Sequence, residues 1–312
     1  MEDRDFEMLG LHAAAGREAT RLALEAGAAS SAAGRIPISG AAVARRDNGS
    51  LDVICVGVNG RIPAGAGAGC PTDHGETGAI RQISDVSAVD WDNVVFATTL
   101  SPCIMCTRTL IHLHGLGLRR IVVAESQSFA GRMDLLRDLP DMEIVELRHP
   151  PAVEMMQRFA RTYPWDWAAD IGAVPPAHPP RPIDVDAALA VLRSAGADAG
   201  VFRGTGAMIA HATDGRATSG GNPVHAAAML AIGRAGSAIN LREHFVVVDS
   251  DEPLDRATFG ESALGACELF RPAAVAAGGF ASDLADALAA AGVPTLSRRR
   301  HSPQWPGSSG PT

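Results

Sequence analysis

The pattern of apolar and polar positions divides the chain into alternating helices and strands. Residues 5–29 place leucine and alanine at helical spacing among arginine and glutamate, which predicts an amphipathic helix at the start. Short apolar and β-branched runs predict strands at 41–45, 51–58, 94–98, 121–124 and 142–147. Further helices are predicted at 76 to about 86, 107–115 and 152–163. Such alternation is typical of a three-layer α/β fold.

A proline-rich segment marks the clearest boundary in the chain. Residues 174–182 have the sequence VPPAHPPRP, which is typical of a stiff polyproline-type spacer. We therefore expect one domain over 1–173 and a second over 183–301. The Gly-, Pro- and Ser-rich end, 302–312, is predicted to be a disordered tail.

Candidate metal chemistry lies in two short motifs. His74 and Glu76 form His-x-Glu, and Pro102, Cys103 and Cys106 form Pro-Cys-x-x-Cys, with 28 residues from the histidine to the proline. One imidazole and two thiolates suit Zn²⁺ and leave its fourth position open for water. Zinc lowers the pKa of such a water to about 7. Glu76 is then predicted to move protons as the general acid/base without binding the metal.

A Cys-x-x-Cys pair by itself has two other uses, in structural zinc sites and in redox dithiols. A structural site needs a fourth protein ligand. The nearby candidates Cys70, His112 and His114 do not supply a second paired spacing. We therefore favour a catalytic zinc.

The composition is that of a globular protein without the marks of nucleic-acid binding. The 312 residues are 46% hydrophobic and 20% charged, the net charge is −8, and lysine is absent. An acidic balance without a basic stripe argues against DNA or RNA as a partner and favours a small-molecule substrate. A signal sequence and an apolar run of about 18 residues are both missing, so we expect a cytoplasmic protein without a membrane segment. The five cysteines do not suggest a disulfide framework.

The segment after the spacer repeats features of the first. His225 and Pro253 are separated by 28 residues, as the histidine and proline of the first motifs are. At that shift, the positions of the general acid and the two thiolates hold Ala227, Leu254 and Ala257. We interpret 183–301 as a degenerate copy of the first fold without zinc ligands. The alternative is an unrelated α/β domain with a chance histidine.

The first half resembles the cytidine deaminase superfamily, whose zinc deaminases carry this His-x-Glu and Pro-Cys-x-x-Cys signature. It is most similar to the small fungal-type cytosine deaminases over about residues 1–172. The resemblance rests on His-Gly-Glu at 74–76, Leu-Ser-Pro-Cys-Ile-Met-Cys-Thr at 100–107 and Asp-Trp-Ala-Ala-Asp-Ile-Gly at 166–172. It implies the three-layer α/β/α cytidine deaminase-like fold, which we expect here in two tandem copies.

The resemblance also implies how a pyrimidine ring is held. An asparagine and an aspartate grip the ring edge, an aromatic pair packs on the ring, and two backbone groups add contacts. The matching residues are Asn59 and Asp170, Phe129 and Trp167, and Gly75 and Ser101. A carboxylate can accept from an exocyclic amine, and a carboxamide can bond both a ring N–H and a carbonyl. The alternatives are core packing for the aromatic pair and strand termination for Asn59.

Two departures from the fungal pattern concern the substrate pocket and the assembly rather than the metal chemistry. The loop between Asn59 and His74 is longer than in the fungal enzymes and rich in glycine. Those enzymes are homodimers of one domain, whereas this chain carries a fused second copy. We expect that copy to replace the partner subunit, with further homo-oligomerisation open.

These observations together predict a zinc-dependent hydrolytic deaminase of a free amino-bearing heterocycle, with cytosine as the first candidate. Hydroxide from the zinc-activated water attacks the amino-bearing carbon, and Glu76 delivers the proton to the ring and to the leaving ammonia. Guanine, a pterin, a triazine or creatinine are the alternative substrates. A non-catalytic zinc-binding scaffold is the alternative of another class.

Overall fold

Two five-stranded mixed sheets with one shared strand order form the frame of the protein. The computed structural model describes residues 3–61, 69–178, 180 and 182–298. The first sheet has the order β2-β1-β3-β4-β5, and the second has the corresponding order β7-β6-β8-β9-β10. The strands are β1 Ser39–Arg45, β2 Leu51–Val58, β3 Val94–Thr98, β4 Arg120–Val123, β5 Glu143–Glu146, β6 Ala199–Arg203, β7 Met208–Ala212, β8 His244–Val248, β9 Ala274–Ala277 and β10 Thr295–Ser297.

Strand directions are also the same in the two sheets. β1 is antiparallel to both of its neighbours, and β3, β4 and β5 are mutually parallel. β6 is likewise antiparallel to β7 and β8, while β8, β9 and β10 are parallel. Four strands of the first sheet therefore end at one edge, where β1 begins. The fold class expected from the sequence, α/β with two similar sheets, is confirmed.

The helices of the first half follow the predicted pattern with a different opening. The predicted first helix is interrupted, because a 3-10 segment, Asp3–His12, precedes α1 and contains Gly10 at φ 51° and ψ −118°. Glycine adopts this conformation without a Cβ clash. The α-helices are α1 Ala13–Ala32, α2 Gly75–Ile80, α3 Ile104–Gly115, α4 Met133–Arg137, α5 Pro150–Thr162 and α6 Pro164–Asp170. The sequence pattern did not predict α4 and α6.

Helix α2 is shorter than predicted, since it ends at Ile80 and not near residue 86. Asn222, from the second half, donates its amide hydrogens to the carbonyl oxygens of Ile80 at 2.9 Å and Ile83 at 3.1 Å. A helix end leaves carbonyls without intrahelical partners, and here a side chain from the other half bonds them. The contact that ends α2 is therefore long-range.

The two halves pack through the helices that lie between their sheets. The second half contributes α7 Val185–Ser194, α8 Ala227–Ala235, α9 Arg256–Phe259, α10 Glu261–Phe270 and α11 Ser282–Ala290. Helix α10 packs along α3, where the hydroxyl oxygens of Thr109 and Ser262 share a 2.8 Å hydrogen bond. Arg108 forms ion pairs with Glu261 at 3.2 Å and Glu268 at 2.8 Å.

One hydrophobic core is continuous across this contact. Met105 and Leu110 of α3 belong to the same buried cluster as Leu264 and Cys267 of α10. Separate smaller clusters lie on the outer faces, under α1 on the first sheet and under α7 on the second. Because burial of apolar surface is the main favourable term in folding, the central cluster stabilises the two halves as a pair.

The predicted correspondence between the two halves needs an adjustment around α10. Helix α3 begins after Cys103, and α10 begins after Gly260, because the extra short helix α9 precedes it. Helix α8 likewise begins after Ala226. A constant sequence shift therefore does not hold throughout the second half. The N-cap residues of these two helices, Ala226 and Gly260, offer no side-chain ligand.

The spacer is attached to the second half over the part that the structure describes. Asn240 donates to the carbonyl oxygen of Pro175 at 2.8 Å, and the N–H of Ala177 donates to Glu243 at 2.6 Å. The predicted tail at 302–312 and most of the predicted glycine-rich loop, 62–68, lie outside the described residues. The domain boundaries themselves stay a prediction.

Membrane insertion of a helix was not expected from the sequence. Among the described residues, no helix combines the length and the apolar character needed to cross a bilayer.

The α3–α10 contact leads to a stability prediction. A Cβ on Gly265 would lie 2.8 Å from the Cα of Met105, whereas a Cβ on Gly115 would meet nothing within 4 Å. We expect Gly265→Ala to lower the free energy of unfolding by about 1–3 kcal/mol through overpacking. Gly115→Ala, the matched control, should be neutral or raise it by up to about 1 kcal/mol. Urea denaturation measures both, and equal shifts would contradict close packing of the two helices.

Candidate active site

The predicted site residues meet at one edge of the first sheet because of the strand directions. Asn59 follows the end of β2, Ser101 follows β3, and Glu125 follows β4, while Ile38 directly precedes β1. The N–H of Ser101 donates to the carbonyl oxygen of Glu125 at 2.9 Å, which joins two of these strand ends. Residues far apart in sequence are thereby brought to one place.

His74 is fixed at the start of α2. Its N–H donates to Thr77 Oγ1 at 2.9 Å, and that hydroxyl donates to the carbonyl oxygen of Thr72 at 2.6 Å. The next residue, Gly75, lies against β1 so closely that a Cβ would be 2.5 Å from the Cα of Ser39. This close approach explains why glycine is needed there, and it gives Gly75 a packing role beside the predicted substrate contact.

The two thiols lie on α3, with Cys103 capping its N-terminus and Cys106 in its first turn. Cys103 Sγ is 3.4 Å from His74 Nδ1 and 3.6 Å from Cys106 Sγ. The three candidate ligand atoms lie within 4.8 Å of one another, and all three residues are buried. Three ligands from imidazole and thiolate, at distances that one ion can bridge, fit a tetrahedral zinc with an open position.

The electrostatics of these groups favours a cation between them. Burial opposes ionisation of Cys103, but hydrogen bonding from Cys106 and the charge of His74 bring its pKa well below the usual range. Burial, and then the neighbouring Cys103 thiolate, raise the pKa of Cys106. Two adjacent thiolates repel each other, and a divalent cation removes that repulsion and deprotonates a ligating thiol.

Glu76 lies in the first turn of α2, two residues after His74, and is not one of the three candidate ligands. It is 2% exposed, and its Oε1 accepts a hydrogen bond from Thr98 Oγ1 at 2.8 Å. Burial and then the charge of Cys103 raise the pKa of the Glu76 carboxyl. A buried carboxylate with a raised pKa is typical of groups that exchange protons during catalysis.

Asp170, the last residue of α6, connects several of the predicted residues. Its Oδ1 accepts a hydrogen bond from Asn59 Nδ2 at 2.9 Å and lies 3.4 Å from His74 Nε2. The other oxygen, Oδ2, is buried and has no hydrogen-bond partner within the described residues. A carboxylate beside the outer nitrogen of a metal-binding histidine orients the ring. Asp170 therefore has one oxygen engaged with the protein and one available to a ligand.

A small pocket, the metal pocket, opens beside these groups with a volume of about 240 Å³. Its lining residues are Ile38, His74, Glu76, Leu100, Ser101, Cys103, Phe129, Trp167, Asp170 and Ile171. The rings of Phe129 and Trp167 meet edge to face, with centroids 5.5 Å apart and planes at 87°. Aromatic faces in a pocket wall are suited to packing on a planar ring.

Two of the predicted substrate-binding residues lie outside this lining. Asn59 lies behind Asp170, and its Oδ1 accepts from the N–H of Arg61 at 2.9 Å. Gly75 likewise packs on β1 and does not line the pocket. Their predicted contacts with a substrate stay predictions.

Sequence reasoning missed two residues that the structure adds to the site. Arg61, 5% exposed, lies 3.4 Å from Asp170 Oδ1, and its guanidinium lies over the ring of Phe270 at 5.8 Å. Phe270, from the end of α10, also meets the His74 ring edge to face, at 6.5 Å between centroids. Arg61 lies two residues after Asn59, and this closeness to a predicted site residue could have indicated it. No local pattern marked Phe270, because its role depends on the packing of the halves.

The second half offers no comparable group over its described residues. The His74–Cys103–Cys106 group is the one cluster of metal-ligand type that the described ranges contain. The helix starts of the second half carry Ala226 and Gly260 at the corresponding places.

Comparison with known proteins agrees with this geometry. Residues 15–125 match the family described as the cytidine and deoxycytidylate deaminase zinc-binding region. A cytosine deaminase of Candida albicans is 32% identical over 99 residues, which are 32% of this chain and 63% of that enzyme. The chain thus spans less than two thirds of the length of this relative. Together with the buried His–Cys–Cys group, the family match indicates zinc as the metal.

Solved structures similar to this chain cover less than half of it at low identity. A guanine deaminase from Nitrosomonas europaea is 24% identical with a TM-score of 0.35, covering 46% of this chain and 82% of that one. A tRNA:A34 deaminase is 18% identical with a TM-score of 0.30, covering 42% and 97%.

The ligand assignment leads to a prediction on metal content. We expect Cys103→Ala to lose bound zinc, because two remaining ligands hold the ion much less tightly than three. Cys267→Ala removes a thiol that is equally buried but lies outside the site, so it should keep about one zinc per chain. Atomic absorption on purified, dialysed protein measures both. Full zinc content in Cys103→Ala would refute the assignment.

Proposed function

Since residues 15–125 match the cytidine and deoxycytidylate deaminase zinc-binding region, we propose that this chain is a zinc-dependent hydrolytic deaminase. The observation that carries the proposal is a buried carboxylate, Glu76, in the wall of a small pocket beside three zinc-type ligands. A purely structural zinc site has no need of an open pocket or of a proton-transfer group. The combination supports catalysis rather than scaffolding.

The substrate we propose is a free amino-bearing heterocycle, with cytosine as the first candidate. The metal pocket has an aromatic pair in its wall, which suits packing on one planar ring. The similar Candida albicans enzyme is a cytosine deaminase. Guanine, a pterin, a triazine and creatinine remain the alternatives to be tested beside it.

His74, Cys103 and Cys106 would hold a zinc ion, which would supply Lewis acidity and activate water when bound. The protein's own part is to place the proton carrier and the ring. Glu76, held by Thr98, takes one proton from the attacking water and delivers it to the ring nitrogen. It then carries the proton of the added hydroxyl to the amino group, which leaves as ammonia. Burial of the pocket excludes bulk water, which strengthens each electrostatic contact with the reacting atoms.

Recognition of the ring is assigned to groups around the pocket. Asp170 Oδ2, which has no protein partner among the described residues, is placed to accept from an exocyclic amine. Phe129 and Trp167 pack on the ring, and Ser101 contacts it from the end of β3. Asn59 acts by holding Asp170, and it reaches the substrate only if its remaining amide hydrogen points into the pocket.

The test of the proposed function is ammonia release by zinc-loaded protein from cytosine, guanine, a pterin, a triazine and creatinine. We expect turnover of cytosine and a loss of about 10²–10⁴-fold in kcat for Glu76→Gln, with zinc content unchanged. Turnover of another ring would keep the chemistry and change the substrate. Equal activity of Glu76→Gln would refute the role of the carboxylate, and no ammonia from any compound would favour the scaffold.

We further propose that the second half takes the place of a partner subunit. Its α10 packs on α3, the helix that carries both thiols, and Phe270 touches His74 and Arg61. Gly172, directly after the Asp170 motif, lies at φ 66° so close to Leu269 that a Cβ would be 2.0 Å from its carbonyl oxygen. These contacts support a second half that positions the site without chemistry of its own. Further homo-oligomerisation and a cytoplasmic location stay predictions.

The role of the second half can be tested at Phe270. We expect Phe270→Ala to weaken zinc binding and lower kcat by roughly tenfold, because the edge contact that orients His74 is removed. Phe245→Ala is a matched control, since it removes a buried phenyl ring from the far cluster of the second half. Competition with a zinc-binding dye and steady-state kinetics measure the two effects. Equal zinc affinity in both variants would contradict the positioning role.

A further inference from the structure

A second cavity, which we call the junction cavity, lies where the two halves meet. It has a volume of about 660 Å³ and is lined by Arg61, Pro71 and Gly172 of the first half and by Ser237, Arg242 and Phe270 of the second. Small-molecule sites often form at domain interfaces. The polar groups in the wall then decide what kind of ligand fits.

Arg61 brings a buried charge to this cavity that the protein compensates only in part. Its Nε has no hydrogen-bond partner within the described residues, and its NH1 is 3.4 Å from the carbonyl oxygen of Ser237. Among the described residues, the carboxylate within ion-pair distance is Asp170, whose Oδ1 lies 3.4 Å from Arg61 Nε and already accepts a hydrogen bond from Asn59. Burial lowers the pKa of Arg61, which is the signature of a cation short of counter-charge.

Arg242, which lines the cavity from the second half, has even fewer partners for its positive charge. It donates through NH2 to the carbonyl oxygen of Gly172 at 2.7 Å, while its Nε is buried without a partner. Over the described ranges, no carboxylate lies within ion-pair distance of Arg242 or of its neighbour Arg271. Burial, and then the charge of Arg271, lower the pKa of Arg242. The cavity is therefore electropositive on two sides.

We propose that the junction cavity binds a small molecule that carries an oxyanion, either a carboxylate or a phosphate. The guanidinium groups of Arg61 and Arg242, which both line the cavity, would receive that oxyanion through charge-assisted hydrogen bonds. Phe270 and Pro71 supply apolar surface for the body of the ligand. Carboxylates and phosphates share this recognition chemistry, so the experiment must separate them.

A ligand bound in the junction cavity would change the surroundings of the metal pocket through Arg61. The guanidinium lies between the cavity and Asp170, and the Phe270 ring below it touches His74. An oxyanion in the cavity competes with Asp170 for the same cation and so changes the support of His74. The binding itself is independent of the proposed deaminase function, and only its effect on turnover rests on that function.

The test is calorimetric titration of the full zinc-loaded chain with sodium phosphate and, separately, with sodium benzoate. Sodium chloride at matched ionic strength is the blank, because general screening affects all exposed charges. We expect saturable binding of one of the two probes, and the probe that binds identifies the class of oxyanion. Heats equal to the blank for both probes would overturn the proposal.

Variants locate the binding. Arg242→Gln should bind about tenfold more weakly, the loss expected for one hydrogen bond to a charged group. Arg203→Gln removes an exposed arginine of β6 that lies outside the cavity, so it should bind as the wild type does. Arg271→Gln, an exposed residue, should weaken binding less and covers the case in which Arg242→Gln does not fold. Unchanged affinity in both Arg242→Gln and Arg271→Gln would refute the site.

The readout also separates this proposal from the proposed function. A protein that deaminates none of the tested rings still gives a binding heat, and an active deaminase without any heat above the blank contradicts only the junction site. If both hold, the bound probe should change KM or kcat for the ring in the wild type and not in Arg242→Gln.

Discussion

The meeting of one imidazole and two thiolates at a buried point is the constraint on which the first half depends. Each ligand comes from the first turn or the cap of a helix, and both helices start at the sheet edge where four strands end. Without a cation the Cys106 thiol favours ionisation of Cys103, and the resulting Cys103 thiolate raises the pKa of Cys106. Metal binding therefore contributes to the stability of the site as well as to its chemistry. The close approach of Gly75 to β1 and the bond from Thr98 to Glu76 keep the surrounding groups in place.

The second half contacts this arrangement through three of its parts. Its α10 lies along the helix that carries the thiols, its Phe270 contacts the histidine, and its Asn222 ends the helix that begins at that histidine. The two sheets share strand order and directions, yet only the first half has ligands at its helix starts among the described residues. These contacts are the basis for the proposal that the second half supplies packing rather than chemistry. The same packing leaves a cavity with two arginines at the junction.

The parts of the site that sequence could predict are those fixed by residue type and spacing. His74, Cys103, Cys106 and Glu76 follow from metal-ligand chemistry, and the strands follow from apolar runs that the structure reproduces within a few residues. What sequence could not give depends on contacts between the halves. Helix α2 stops early because Asn222 bonds its last carbonyls, and Phe270 enters the site because α10 packs on α3. The constant shift between the copies fails at α10, because an extra helix precedes it.

The most direct test of the account is X-ray absorption at the zinc edge on the purified protein without substrate. The account predicts two sulfur neighbours at about 2.3 Å, one imidazole nitrogen at about 2.0–2.1 Å and one further light atom from water. That pattern is the one required for an open, catalytic position beside Glu76. A shell completed by a third sulfur or a second imidazole would mean a closed structural site, and it would contradict the claim that this zinc performs chemistry.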